Sequence, residues 1–259
     1  MQVLTKSSRV VFESHPPLAR ISLRNPSLNV IDLPMMEELA QALGEIEGHP
    51  EISTIVICGG GQEFSAGVDA AAHASDTIET MLAKFHAVAR LLVATKKVSI
   101  AAVKGHCLGG GAELAMVCDV VLTTEDATWG FPEIKLGCFP PVAATALAAL
   151  TGQKHAAELI LTGRTISGAE AADIGLATRA VPDAMLETSV EEVTSSLAKL
   201  SPAALAVTKK ALYAWDSMHF DKGLARAERI YLDELMKTED AQEGIRAFME
   251  KRVARWKGR

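Results

Sequence analysis

The chain has 259 residues, 49% of them apolar, enough to bury a substantial core in one large domain or one domain with an appendage. A formal charge of -6 and basic clusters no longer than Lys96-Lys97 and Lys209-Lys210 argue against a nucleic-acid partner. With four cysteines but no Cys-x-x-Cys pair, seven scattered histidines, no apolar leader after Met1 and no membrane-length apolar run, we expect a soluble cytoplasmic protein without a metal or a membrane partner.

Arg9–Glu13 and Ala19–Arg24 read as an opening hairpin with Pro16-Pro17 in the connection, followed by a helix from about Pro34 to Ile46. Ser53–Cys58 reads as a buried strand broken by Gly59-Gly60-Gly61, after which Phe64-Ser-Ala-Gly-Val-Asp69 leads into a helical region. A second β-rich run, Val98–Val103, precedes Gly109-Gly110-Gly111. This triplet opens the helical pattern Ala112–Cys118 and places Glu113 in its first turn; Glu133 follows in Gly130-Phe-Pro-Glu-Ile-Lys-Leu-Gly137. Strand, turn and helix alternate as far as Val181, which predicts an α/β core with right-handed crossovers. Beyond Pro182 the spacing is helical only, over 186–200, 202–214, 223–237 and 241–255.

The glycine triplets fit neither of two common phosphate loops. Counting a Gly-x-Gly-x-x-Gly pattern from Gly109 puts Leu114 in the last position, counting from Gly59 puts Phe64 there, and no Gly-Lys-Ser/Thr occurs. One remaining reading is a tight strand-to-helix turn with no ligand. The other is a pair of turns whose backbone N–H groups, unobstructed by Cβ atoms, face a developing negative charge, with Ala66 and Gly110 as the natural donors. Two carboxyl groups beside such a site suggest acid/base chemistry next to a developing oxyanion.

At these residues the chain resembles the crotonase superfamily, also called the enoyl-CoA hydratase/isomerase family. The resemblance rests on Phe64–Asp69, on the block from Gly105 through Gly109-Gly110-Gly111-Ala-Glu-Leu-Ala to Asp119, on Gly130–Gly137, on Leu161–Ser167 with Glu170-Ala171, and on Glu243–Arg252. It implies a β-β-α spiral core over 1–200 and a C-terminal helical oligomerisation region over 201–259, in a homo-trimer or a homo-hexamer of stacked trimers. It also implies that the Ala66 and Gly110 amides hold the thioester oxygen of an acyl-CoA and that Glu113 and Glu133 are the catalytic pair. Retention of both glutamates favours water addition. Ser65, Ala66, Gly67, Val68, Asp69, Gly109 and Gly110 are expected to bind substrate, and no cofactor is expected, coenzyme A being part of the substrate.

Ordinary crotonases usually continue past the second glutamate with a glycine-rich turn, where this chain has Cys138-Phe-Pro-Pro-Val-Ala-Ala-Thr145. Here, in Asn29-Val-Ile-Asp32 and in Tyr231–Met236, it is similar to the cyclohexa-1,5-diene-1-carbonyl-CoA hydratases of anaerobic benzoyl-CoA degradation. Phe139, Pro140 and Pro141 are therefore expected to shape a pocket for a ring. The alternatives are a general trans-2-enoyl-CoA hydratase and a non-catalytic acyl-CoA-binding scaffold. Lys209, Lys210 or a C-terminal lysine are candidates for the CoA phosphates, although a solvated surface role suits them better. For His73 and His86 a surface or hydrogen-bonded core role is favoured over contact with the acyl pocket. Trp215, Phe220, Tyr231 and Trp256 read equally as interface anchors or intrachain core.

Overall fold

The computed structural model describes residues 8–73, 77–213 and 216–258, with only the backbone of 216–218. The strands are β1 (Val10–His15), β2 (Leu18–Leu23), β3 (Thr54–Gly59), β4 (Val98–Val103), β5 (His106–Leu108), β6 (Val120–Thr124), β7 (Thr128–Gly130), β8 (Thr165–Ser167) and β9 (Arg179–Val181). Between and after them run the helices α1 (Leu33–Glu47), α2 (Ile78–Ala94), α3 (Gly110–Met116), α4 (Pro141–Thr151), α5 (Gln153–Thr162), α6 (Gly168–Asp173), α7 (Leu186–Leu197), α8 (Pro202–Leu212), α9 (Asp216–Asp233) and α10 (Glu239–Met249).

Six strands form one sheet in the order β1-β2-β3-β4-β6-β9. The hairpin is antiparallel, pairing Phe12 with Ile21, and every later pair is parallel, with Ile21 opposite Ile57 and Ala102 opposite Leu122. Parallel strands need crossovers, which α1, α2 and α3 supply, and the resulting two-sided burial explains why β3 and β4 read as nearly continuous apolar runs. Helix α1 begins where the sequence suggests: Asp32 caps the Met35 N–H and Pro34 lies in the first turn.

A second, three-stranded sheet has the order β5-β7-β8, with β5 and β7 parallel. The chain around Ser65 runs beside it, bridging to Cys107: the Ser65 N–H donates to the His106 carbonyl and the Leu108 N–H to the Ser65 carbonyl. The two glycine-bounded turns thus lie side by side.

The C-terminal helices are as expected in number but not in every boundary, α10 ending at Met249 rather than Arg255. Helix α9 packs on α2 and α4, and buries Phe220 and Tyr231 within the chain. Of the two readings for these aromatics, intrachain core is the one found; Trp256 is half exposed, and Trp215 lies outside the described residues. Among the described residues no helix is long and apolar enough to cross a membrane, and Cys107, Cys118 and Cys138 are buried free thiols.

Candidate active site

Because β5 and β7 are parallel, the chain leaves both at the same end. The Gly109 N–H donates to the Gly130 carbonyl at 2.9 Å, locking the start of α3 against the segment that carries Glu133. Gly109 has φ +51°, and a Cβ there would stand 2.6 Å from Glu133 Oε1. Only glycine meets both demands, a left-handed backbone and a carboxylate at van der Waals range. At Gly110 a Cβ would stand 2.6 Å from Val68 Cγ2, so the two turns are in direct contact.

Glu113 is buried, in the first turn of α3, and its Oε1 accepts the Ala143 N–H at 2.9 Å. The Val142 N–H also bonds this carboxylate. Helix α4 begins at Pro141 with no side-chain cap of its own, so Glu113 supplies the negative charge its N-terminus lacks. Burial pushes the Glu113 carboxyl up to about 7 against the pull of these two amides. Glu133 is also raised, well above the ordinary carboxylate range, first by burial and then by the charge of Glu113. Its Oε2 is sealed from solvent without a hydrogen-bond partner. The two amides on Glu113 and the charge that Glu133 feels from it both favour placing the negative charge on Glu113 and the proton on Glu133.

Both glutamates line a cavity of about 80 Å³, together with Ala66, Gly67, Val68, Gly109 and Gly110. Phe139, Pro140 and Pro141 form part of its wall, where the sequence places them, and the Phe139 ring lies 5.1 Å from that of Tyr231. A volume of this size holds about two waters. Helix α9 contributes Tyr231, so the site draws on a residue beyond the 1–200 segment. A larger cavity of about 680 Å³ between α4 and α9 also touches Phe139, but its carboxylate, Asp119, already pairs with Lys209.

Three expectations need correction. The Ala66 N–H donates to the Leu28 carbonyl at 2.9 Å and is not available to a ligand, and the Gly67 N–H donates to Ser65 Oγ. The first N–H on this turn without a partner among the described residues is that of Val68, the residue whose side chain abuts Gly110. Ser65 and Asp69 do not line the cavity: Ser65 Oγ donates to the Asn29 carbonyl and Asp69 accepts the Ala71 N–H, so both brace the loop. Lys209 is buried, its Nζ 2.7 Å from Asp119 and 2.9 Å from the Lys97 carbonyl, and it cannot serve a CoA phosphate. His73 and His86 are both buried and both line the cavity. The hydrogen-bonded core role holds for each, His73 facing the Asp69 carbonyl and His86 facing Glu228, but it does not separate them from the acyl pocket.

A two-sheet α/β fold that gathers two carboxyl groups and two glycine-bounded turns around one cavity has the composition of an acid/base enzyme site. Residues 13–259 match the enoyl-CoA hydratase/isomerase family, and the chain belongs to that family. It is similar to the cyclohexa-1,5-dienecarbonyl-CoA hydratase of Thauera aromatica, 34% identical with 97% of each chain covered. It is also similar to a probable enoyl-CoA hydratase of Mycobacterium bovis, 36% identical with 94% of this chain and 96% of the relative covered. Among solved structures, an enoyl-CoA hydratase from Mycobacterium avium subsp. paratuberculosis superposes with a TM-score of 0.87 at 27% identity, covering 96% of this chain and 98% of that one. An enoyl-CoA hydratase/isomerase from Xanthobacter autotrophicus gives 0.85 at 29% identity, covering 97% and 99%. The fold is the crotonase spiral, and the chain is an enoyl-CoA hydratase-type hydro-lyase.

Proposed function

We propose that this enzyme adds water to a conjugated cyclic acyl-CoA, preferring cyclohexa-1,5-diene-1-carbonyl-CoA and giving 6-hydroxycyclohex-1-ene-1-carbonyl-CoA. The thioester oxygen sits between the Val68 and Gly110 N–H groups, where the growing enolate charge meets two donors that need no reorganisation. Glu113, the carboxylate, takes a proton from water as hydroxide adds β to the thioester. Glu133, the acid, delivers a proton to the far end of the conjugated system. Product leaves with one C–O and one C–H bond formed; one O–H bond of water and the Glu133 O–H are broken, and the proton now on Glu113 returns to Glu133 to restore the pair.

The observation that carries this reading is the unlike hydrogen bonding of two carboxyl groups in one cavity: two amides of α4 on Glu113, against only its own amide on Glu133, whose Oε2 has no partner. The preference for a ring is supported by the Phe139-Pro140-Pro141 wall and by the Thauera relative. The second reading, a linear trans-2-enoyl-CoA substrate, is favoured by the mycobacterial relative at 36% identity. Glu113→Gln and Glu133→Gln should each lower turnover by orders of magnitude and leave acyl-CoA affinity within a few-fold; near-normal turnover in either variant removes that residue from the mechanism. Assembly as a homo-trimer or homo-hexamer is part of the same proposal, supported by Leu200, Val207 and Leu212, which stand exposed on and beside α8.

A further inference from the structure

Three buried polar atoms without an oxygen or nitrogen partner belong to side chains that line the catalytic cavity: Glu133 Oε2, Tyr231 Oη, which stands against the Cys138 thiol, and His86 Nε2. The first is explained by proton transfer. The third is not. The His86 side chain is fully buried on α2, and its Nδ1 lies 2.6 Å from Glu228 Oε1 on α9. Glu228 is held in turn by Arg90, whose other nitrogen reaches Asp221. A carboxylate at Nδ1 fixes the proton on that nitrogen and leaves Nε2 as a lone-pair acceptor. A buried acceptor left without a partner is costly, which points to a ligand donor that completes it.

We propose that His86 Nε2 accepts the hydrogen bond of the hydroxyl on the bound hydroxyacyl thioester, with Glu228 fixing the tautomer that makes this possible. His86 is then a specificity residue that recognises the hydrated form, and Glu228 a positioning residue acting through it. The inference rests on the acyl-thioester reading above. A purely structural role, a clamp between α2 and α9, would stabilise the fold without distinguishing ligands that differ by one hydroxyl.

The experiment compares two ligand pairs by calorimetry in the Glu133→Gln background, where the hydroxyl is not eliminated. The pairs are 6-hydroxycyclohex-1-ene-1-carbonyl-CoA with cyclohex-1-ene-1-carbonyl-CoA, and 3-hydroxybutyryl-CoA with butyryl-CoA. The parent should bind the hydroxylated member of at least one pair about tenfold more tightly, the worth of one ordinary hydrogen bond. His86→Leu should reduce that preference to within twofold while affinity for the deoxy member stays within threefold, and His86→Gln, which keeps an acceptor, should recover part of it. If His86→Leu does not fold, Glu228→Ala, which frees Nδ1, makes the same comparison and should also lose the preference. A preference unchanged in these variants, or an equal loss for both members of a pair, overturns the assignment. Parent protein that binds no member of either pair overturns the thioester reading itself, whereas parent that binds the deoxy members without hydroxyl preference overturns only the role of His86.

Discussion

Replacing Glu113 by glutamine should make the protein more stable above neutral pH, although it destroys a catalytic group. An unfolded chain releases the Glu113 proton near 4.5, whereas burial raises the folded value to about 7. Below about 4.5 both states carry the proton and the group contributes nothing to the pH dependence. Between these two values the folded state keeps a proton that the unfolded state has lost, so stability falls as pH rises. Above about 7 the cost levels off near 3 kcal/mol, from ~1.36 kcal/mol per pH unit over that rise. Glu133 acts in the same direction, and its own elevation is partly caused by the charge of Glu113. Glutamine keeps an oxygen that can accept the Ala143 N–H, so packing at the start of α4 survives the change. Urea unfolding of wild type and Glu113→Gln, at fixed protein concentration from pH 5 to pH 8.5, should show a gap that widens with pH to roughly 2–3 kcal/mol in favour of the variant. In thermal unfolding that corresponds to roughly 5–10 °C for a chain of this size. A variant no more stable than wild type at pH 8.5, or a gap independent of pH, refutes the buried-carboxylate reasoning.

Gly109→Ala places a Cβ 2.6 Å from Glu133 Oε1 at a backbone of φ +51°, so it should lower kcat/KM at least tenfold and stability by about 1–3 kcal/mol, read by kinetics and melting together. Unchanged kinetics would show that Glu133 has room to move without consequence. Lys209→Met leaves the part-buried Asp119 without its cation and should cost about 3 kcal/mol of stability, while the KM for a CoA ester stays within twofold. A large rise in KM in a folded variant would return Lys209 to the CoA site.

The α/β alternation, the opening hairpin and the placing of Glu113 and Glu133 near the glycine turns are legible in the sequence because each depends on local pattern: apolar strand runs, glycine turns, and a motif whose spacing puts Glu113 in the first turn of a helix. The unpartnered amide of the Ser65–Asp69 turn is not. Which amide of the Ser65–Asp69 turn remains free depends on the Leu28 carbonyl, which is distant in sequence and consumes the Ala66 N–H. Lys209 failed for a similar reason, since its exposed-looking sequence context hides a buried partner at Asp119 and an acceptor at the Lys97 carbonyl. From α9 Tyr231 reaches the cavity and Glu228 reaches His86, and helical periodicity reports only that one face of α9 is buried, not what it is buried against.

The most direct test of the proposed chemistry is a comparison of kcat/KM for hydration of cyclohexa-1,5-diene-1-carbonyl-CoA and crotonyl-CoA by the wild-type enzyme, with Glu113→Gln and Glu133→Gln as controls. Hydration of the cyclic diene with the higher kcat/KM, abolished in both controls, is the expected result. Preference for crotonyl-CoA would contradict the ring substrate and leave the linear hydratase. Absence of hydration with either ester, in protein that binds them, would contradict the assignment of Glu113 and Glu133 as a water-adding pair.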